Sequence, residues 1–173
     1  ELLDELFGRT VNDAGYKEGE NLTLDVQNAS GDQATATNIA SNFASSKDDL
    51  ILGIATPSAQ SLAQAVTDKP VLFTAATDPV DAGLVDSAEK PGGNVTGTTD
   101  MNPVADQIKL VKELKPSAKS VGIIYSSGET NSQIQVDEAK KAAESEGLKV
   151  VEKTVTTTAE VAQAAESFDT DAI

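Results

Sequence analysis

Apolar residues at Leu2, Leu3, Leu6, Phe7 and Val11 recur at helical spacing, which predicts a first helix closed by Ala14-Gly15-Tyr16. Leu22-Thr23-Leu24-Asp25-Val26 alternates with period two and predicts a half-buried strand. Asp32 then caps a predicted helix carrying Ala36, Ile39, Ala40 and Phe43. A strand over Leu50–Ala55 runs into a helix from Pro57 to Val66, with the proline suited to a first helical turn. Pro70–Thr74 reads as another short buried strand, Thr77-Asp78-Pro79 as a turn, and Asn94–Gly97 as a strand leaving the Pro91-Gly92-Gly93 break.

After Pro103 the pattern restarts. A helix with Ile108, Leu110, Val111 and Leu114 precedes a strand at Val121–Tyr125. An Ala-rich helix follows over Asn131–Glu146, stopped by Gly147. Leu148–Val151 is a predicted strand, Thr154–Thr158 a strand end entering a helix cap, Ala159–Phe168 a helix, and Asp171–Ile173 a strand just beginning. Strands alternating with helices predict an α/β fold with parallel sheets and right-handed crossovers. The restart divides it into two three-layer lobes, residues 1–98 and 99–173, with the boundary near 97–102. The first lobe is expected to lack its first strand and the second to be truncated on its C-terminal side.

Two places stand out within that pattern. Ile51–Ala55 and Val121–Tyr125 are apolar runs of the kind found in central parallel strands. Each ends in small polar residues that open a helix, Thr56-Pro57-Ser58-Ala59-Gln60 and Ser126-Ser127-Gly128-Glu129-Thr130-Asn131-Ser132. Ligands of open α/β sheets sit past the carboxyl ends of such strands, and helix N-termini there favour an anion. The pair therefore suggests two walls facing one cleft.

Composition narrows the chemistry. The chain of 173 residues has 13 basic and 28 acidic side chains, a net charge of −15, which opposes binding to nucleic acid or anionic membranes. Residues 1–100 carry 5 basic and 16 acidic residues, an imbalance read as solubility rather than as a site. With no Cys and no His, thiol nucleophiles, disulfides, imidazole bases and thiolate or imidazole metal sites are excluded. No phosphate loop, dinucleotide fingerprint or Gly-x-Ser-x-Gly elbow is present. No apolar run is long enough to span a membrane, and a leader is expected to have been removed or to lie outside this sequence. Neither a cofactor nor a metal is expected.

Each candidate site residue has a local alternative. Thr56, Ser58 and Ala59 at one helix start, and Ser126, Asn131 and Ser132 at the other, could serve simply as caps and turns. Glu129 could sit near a helix N-terminus for the dipole alone, and Thr77 and Asp78 could shape a turn before Pro79. The only arginine is Arg9, so helix N-termini with hydroxyls are the available receptors for a carboxylate. Asp78 or Glu129 could take an ammonium. Tyr125 could stack on an apolar side chain or pack in the core.

Tyr16–Thr23, Gln27-Asn28-Ala29, Ile54–Gln60, Phe73–Val80, Gly83-Leu84-Val85, Lys90–Gly97 and Tyr125–Ser132 occur in this order. As a set, covering nearly the whole chain, they resemble the tryptophan/tyrosine-type substrate-binding proteins of bacterial ABC importers. The resemblance implies a periplasmic-binding-protein-like fold of type I whose two lobes close on a small ligand, an apolar or aromatic amino acid. It further implies a monomer without enzymatic turnover, exported or lipid-anchored at the outer face of the cell membrane, delivering its ligand to a membrane permease. A sensory or regulatory ligand-binding domain of the same architecture is the alternative reading. Ligand contacts at Thr56, Ser58, Ala59, Thr77, Asp78, Ser126, Glu129, Asn131 and Ser132 are part of this expectation.

Overall fold

A computed structural model of the chain describes residues 10–173. Leu2, Leu3, Leu6, Phe7 and Arg9 lie outside the described residues. The chain divides after Ser30 into two compact units.

In the first unit residues 10–13 are helical, and the Tyr16 N–H closes onto the Val11 carbonyl at 2.9 Å. The chain then curls tightly. The Lys17 carbonyl accepts from the N–H groups of Glu20, Asn21 and Leu22, each at 3.1 Å, while Asn21 Oδ1 takes the Lys17 N–H at 2.6 Å. The strand expected at Leu22–Val26 does not form. Only an isolated bridge joins Glu18 and Leu22, and Val26 is 73% exposed. Alternation gives this segment an apolar face, but a strand needs a neighbour to take its N–H and C=O groups. Among the described residues, none does so.

The second unit holds the regular structure. Helix α1 (Gln33–Ser45) begins where expected: Asp32 Oδ1 accepts the Thr35 N–H at 2.7 Å. Strand β1 (Ile51–Ile54), helix α2 (Thr56–Ala65), β2 (Val71–Ala76) and β3 (Val95–Thr99) follow. These strands form a parallel sheet in the order β1-β2-β3, with Ile51 opposite Val71 and Val71 opposite Val95. Helix α3 (Val104–Leu114), β4 (Ser120–Ser126), α4 (Thr130–Ser145) and β5 (Lys149–Val155) come next. β4 and β5 make a second parallel sheet, and among the described residues no ladder joins the two sheets. At the expected final strand, Ala172 bridges to Val121.

Each sheet has its own aliphatic core. Ala40, Ile51, Ala59, Leu62, Val66, Val71 and Phe73 surround the first. Val104, Ile108, Ala118, Val121, Ala139, Ala143 and Leu148 surround the second. Gly147, at φ +65°, stops α4 in a left-handed turn that lets the Leu148 N–H reach the Ala143 carbonyl at 2.8 Å.

Two expected elements change their limits. β5 runs to Val155 because its ladder with β4 continues through Ser126 and Val155, whatever the polarity of Glu152 and Lys153. The last helix becomes a 3₁₀ turn at Thr158–Glu160 followed by α5 (Val161–Glu166). There Glu160 Oε2 accepts the Thr156 and Thr157 N–H groups in a capping box, which holds the Glu160 carboxyl below its usual range.

Candidate functional site

The first helix opening is set by how closely α2 lies on β1. Gly53 makes that approach possible: a Cβ there would stand 3.0 Å from the Ala59 Cα and 3.0 Å from Leu62 Cδ1. Leaving β1, the chain reverses at Ala55, which has φ 74° and ψ 155°. That region is normally reserved for glycine and costs about 1–3 kcal/mol for a residue with a side chain. The strain stands at the elbow that presents Thr56 and Ser58. A second positive φ, 55°, occurs at Ala75, where the β2–β3 register shifts just before Thr77.

Both candidate helices start without a side-chain cap. Ala55 occupies the cap of α2 and Glu129 that of α4, and neither makes a capping bond. The hydroxyls near these starts are therefore not used as caps. The buried Thr56 Oγ1 accepts the Thr77 N–H at 3.4 Å, tying the ends of the β1 and β2 connections together. Ser58 and Ser132 are half-buried, and their hydroxyls have no partner among the described residues. Asn131, on the first turn of α4, has a buried Oδ1 with no hydrogen-bond partner. A buried acceptor left unsatisfied costs about 1–3 kcal/mol, so such atoms call for an explanation.

The remaining candidates are placed differently. Ala59 is fully buried in the core, and its N–H already bonds the Ala55 carbonyl at 3.0 Å. Thr77 is buried at the end of β2. Asp78 Oδ1 accepts the N–H groups of Val80 and Asp81 at 3.0 and 3.1 Å, capping the turn that follows. Ser126 ends β4, and its carbonyl accepts the Glu129 N–H at 3.4 Å. The Glu129 carboxylate makes no hydrogen bond or ion pair among the described residues, which leaves it able to take a cation.

Tyr125 belongs to a polar cluster across the second sheet. Its hydroxyl donates to Glu152 Oε2 at 3.2 Å, and Glu152 Oε1 pairs with Lys140 of α4 at 2.7 Å. Desolvation, and then the hydrogen bond to Glu152, push the Tyr125 hydroxyl above its ordinary range; the same carboxylate raises Lys140.

The helices that follow the two openings touch. α2 packs against α4, and Gln60 Nε2 reaches Thr130 Oγ1 at 3.5 Å. The sequence pattern singled out neither residue, because a contact across 70 positions leaves no periodic signal. A cavity of about 80 Å³ lies elsewhere, against Phe73, Val85, Pro91 and Thr99, and none of the nine candidates lines it. It falls well short of the roughly 300–1,000 Å³ of ligand pockets. No cluster of potential metal ligands occurs among the described residues, and no helix among them is long and apolar enough to cross a membrane.

A family model described as ABC transporter substrate binding protein matches residues 7–173. The chain is similar to a tyrosine-binding protein of Clostridioides difficile (strain R20291), with 50% identity over 162 residues, covering 94% of this chain and 47% of that protein. A conserved domain protein of Vibrio cholerae O1 biovar El Tor strain N16961 superposes with a TM-score of 0.89 at 41% identity, covering 92% of this chain and 54% of that one. An ABC domain in complex with L-Trp from Streptococcus pneumonia superposes with a TM-score of 0.88 at 40% identity, covering 96% and 58%. The chain thus spans about half the length of the relatives it matches.

Proposed function

The chain belongs to the ABC transporter substrate-binding protein family, and from that premise we propose that its protein captures an apolar or aromatic amino acid between two lobes and releases it unchanged to a membrane permease. Its fold is the periplasmic-binding-protein-like α/β arrangement with parallel sheets. The lobe boundary falls near residues 97–102, between residues 1–98 and 99–173, and the binding step takes place outside the cytoplasm. Relatives described as tyrosine-binding and as an L-Trp complex favour an aromatic ligand.

One observation carries the placement of the site. Two helices that start without side-chain caps, one after β1 and one after β4, touch each other, and Gln60 in the second turn of α2 reaches Thr130 at the start of α4. Their unpaired N–H groups and positive dipole ends suit the ligand carboxylate. The Ser58 and Ser132 hydroxyls and the Asn131 amide supply further hydrogen bonds, and the Glu129 carboxylate takes the ammonium. Thr56, Thr77 and Asp78 shape the elbow and turn that present this wall, while Ala59 fixes α2 to the sheet and Ser126 ends β4 beneath the other wall.

Calorimetric titration of the full-length protein with the common amino acids tests the reading. Saturable binding of tyrosine, tryptophan or leucine, with the ligand recovered intact, is expected. Failure to bind any amino acid, or consumption of a bound one, overturns it.

A further inference from the structure

We propose that Gln60 is a positioning residue of the site, holding the wall that carries Thr56 and Ser58 at a set distance from the wall that carries Asn131 and Ser132. The proposal rests on the reading of the two helix openings as one cleft, and it adds a residue that does not itself touch the ligand.

A chain of hydrogen bonds supports it. Asp78 Oδ1 holds the turn after β2 through the Val80 and Asp81 N–H groups, and the Asp78 carbonyl accepts the Ala82 N–H at 3.0 Å. That turn offers the Ala82 carbonyl to Gln60 Nε2, again at 3.0 Å. A primary amide nitrogen has two hydrogens. With one directed to Ala82, the other is left for Thr130 Oγ1 at 3.5 Å. Thr130 is the first residue of α4, immediately before Asn131 and Ser132. Gln60 is thus oriented by the turn after β2 and reaches across to the helix start on which the second wall is built.

Asp78 therefore has a role that differs from ammonium recognition. Its carboxylate shapes the turn that aims Gln60. A contact of 3.5 Å is long for an N–H···O bond and contributes little to stability as it stands. Ligand held between the walls shortens it, and the tie then slows reopening. A neutral hydrogen bond of this kind corresponds to about a two- to tenfold change in affinity.

The test compares Gln60→Ala, Thr130→Val and the double variant in the full-length protein, with L-tryptophan and L-tyrosine as probes. Thr130→Val removes the hydroxyl acceptor and keeps the branched shape, so it guards against a folding defect in Gln60→Ala. Each single variant is expected to weaken binding about two- to tenfold. The loss should appear as faster dissociation, with association and the ligand-free melting temperature unchanged. The double variant should be no weaker than Gln60→Ala alone, because both substitutions break one contact. Unchanged affinity in the folded single variants, or fully additive losses, overturns the proposal. Wild-type protein that binds neither probe overturns the functional reading instead. The tie is then decided by hydrogen exchange: faster exchange at residues 130–134 in Gln60→Ala supports it, and identical exchange overturns it.

Discussion

Ala55 and the serines beside it show how much of this site is set by single residues. An alanine at φ 74° and ψ 155° is held in that conformation by its surroundings, with its N–H on the Thr74 carbonyl and its own carbonyl on the Ala59 N–H. Ala55→Gly removes the steric conflict, and chemical denaturation should find the variant about 1 kcal/mol more stable. A loss of stability would mean that the elbow is unstrained. Ser58 lies just beyond this elbow and Ser132 in the first turn of α4, and neither hydroxyl has a partner among the described residues. Ser58→Ala and Ser132→Ala should leave the melting curve in place while weakening amino-acid binding about tenfold to a hundredfold, since a hydrogen bond to a charged group contributes about 1.5–3 kcal/mol. Calorimetric titration of the two folded variants checks this, and unchanged affinity moves the carboxylate elsewhere.

At the scale of elements, the contrast between α1 and the two site helices is informative. Asp32 caps α1, and Thr35 holds its carboxyl below the usual range, whereas α2 and α4 begin without a side-chain cap on their first N–H groups. The start of β4 is fastened differently. The Lys119 and Ser120 N–H groups both donate to Asp171 Oδ2, and Lys115 pairs with the same carboxylate at 3.2 Å. The Lys119 backbone bond is the largest cause of an Asp171 pKa lowered to about 2 from 3.8. A depressed carboxylate pKa stabilises the fold above the unfolded value and loses that contribution as pH falls through the folded one. Asp171 should therefore contribute fully above about pH 4 and progressively less towards pH 2. In denaturation series across that interval, the gap in stability between wild type and Asp171→Asn should narrow as the pH falls. A constant gap would show that the carboxylate charge is irrelevant there.

For the molecule as a whole, the second unit is built on two cores that share no residue. Val71 is fully buried in the first and Val121 is 4% exposed in the second. Val71→Ala and Val121→Ala should each cost about 1.5–3 kcal/mol, and the double variant should lose the sum within about 0.5 kcal/mol. Equilibrium unfolding of the three variants measures the coupling, and a coupling above about 1 kcal/mol would argue for one continuous core rather than two lobes. Gln60 and Thr130 make one of the direct contacts between the elements built on the two cores.

Element order over residues 31–173, the parallel strand class and the location of the two helix openings were legible in the amino-acid pattern alone. Short apolar runs, cap residues and glycine stops are local signals, and each depends on neighbours a few positions away. Composition alone excluded thiol and imidazole chemistry. Tertiary structure decided what needs a partner far along the chain. Leu22–Val26 has the alternation of a strand, but among the described residues only an isolated bridge at Leu22 uses it. Tyr125 could have packed or stacked, and Glu152 on the adjacent strand settled its hydroxyl in a polar cluster. Ser58 could have been a cap, but the strained turn at Ala55 left its hydroxyl free. Asn131 became an unsatisfied acceptor only because the packing around the start of α4 buried its oxygen without supplying a donor. Hydrogen bonds and steric conflict act over a few ångströms in space, so their outcome is fixed when the chain folds and remote residues become neighbours.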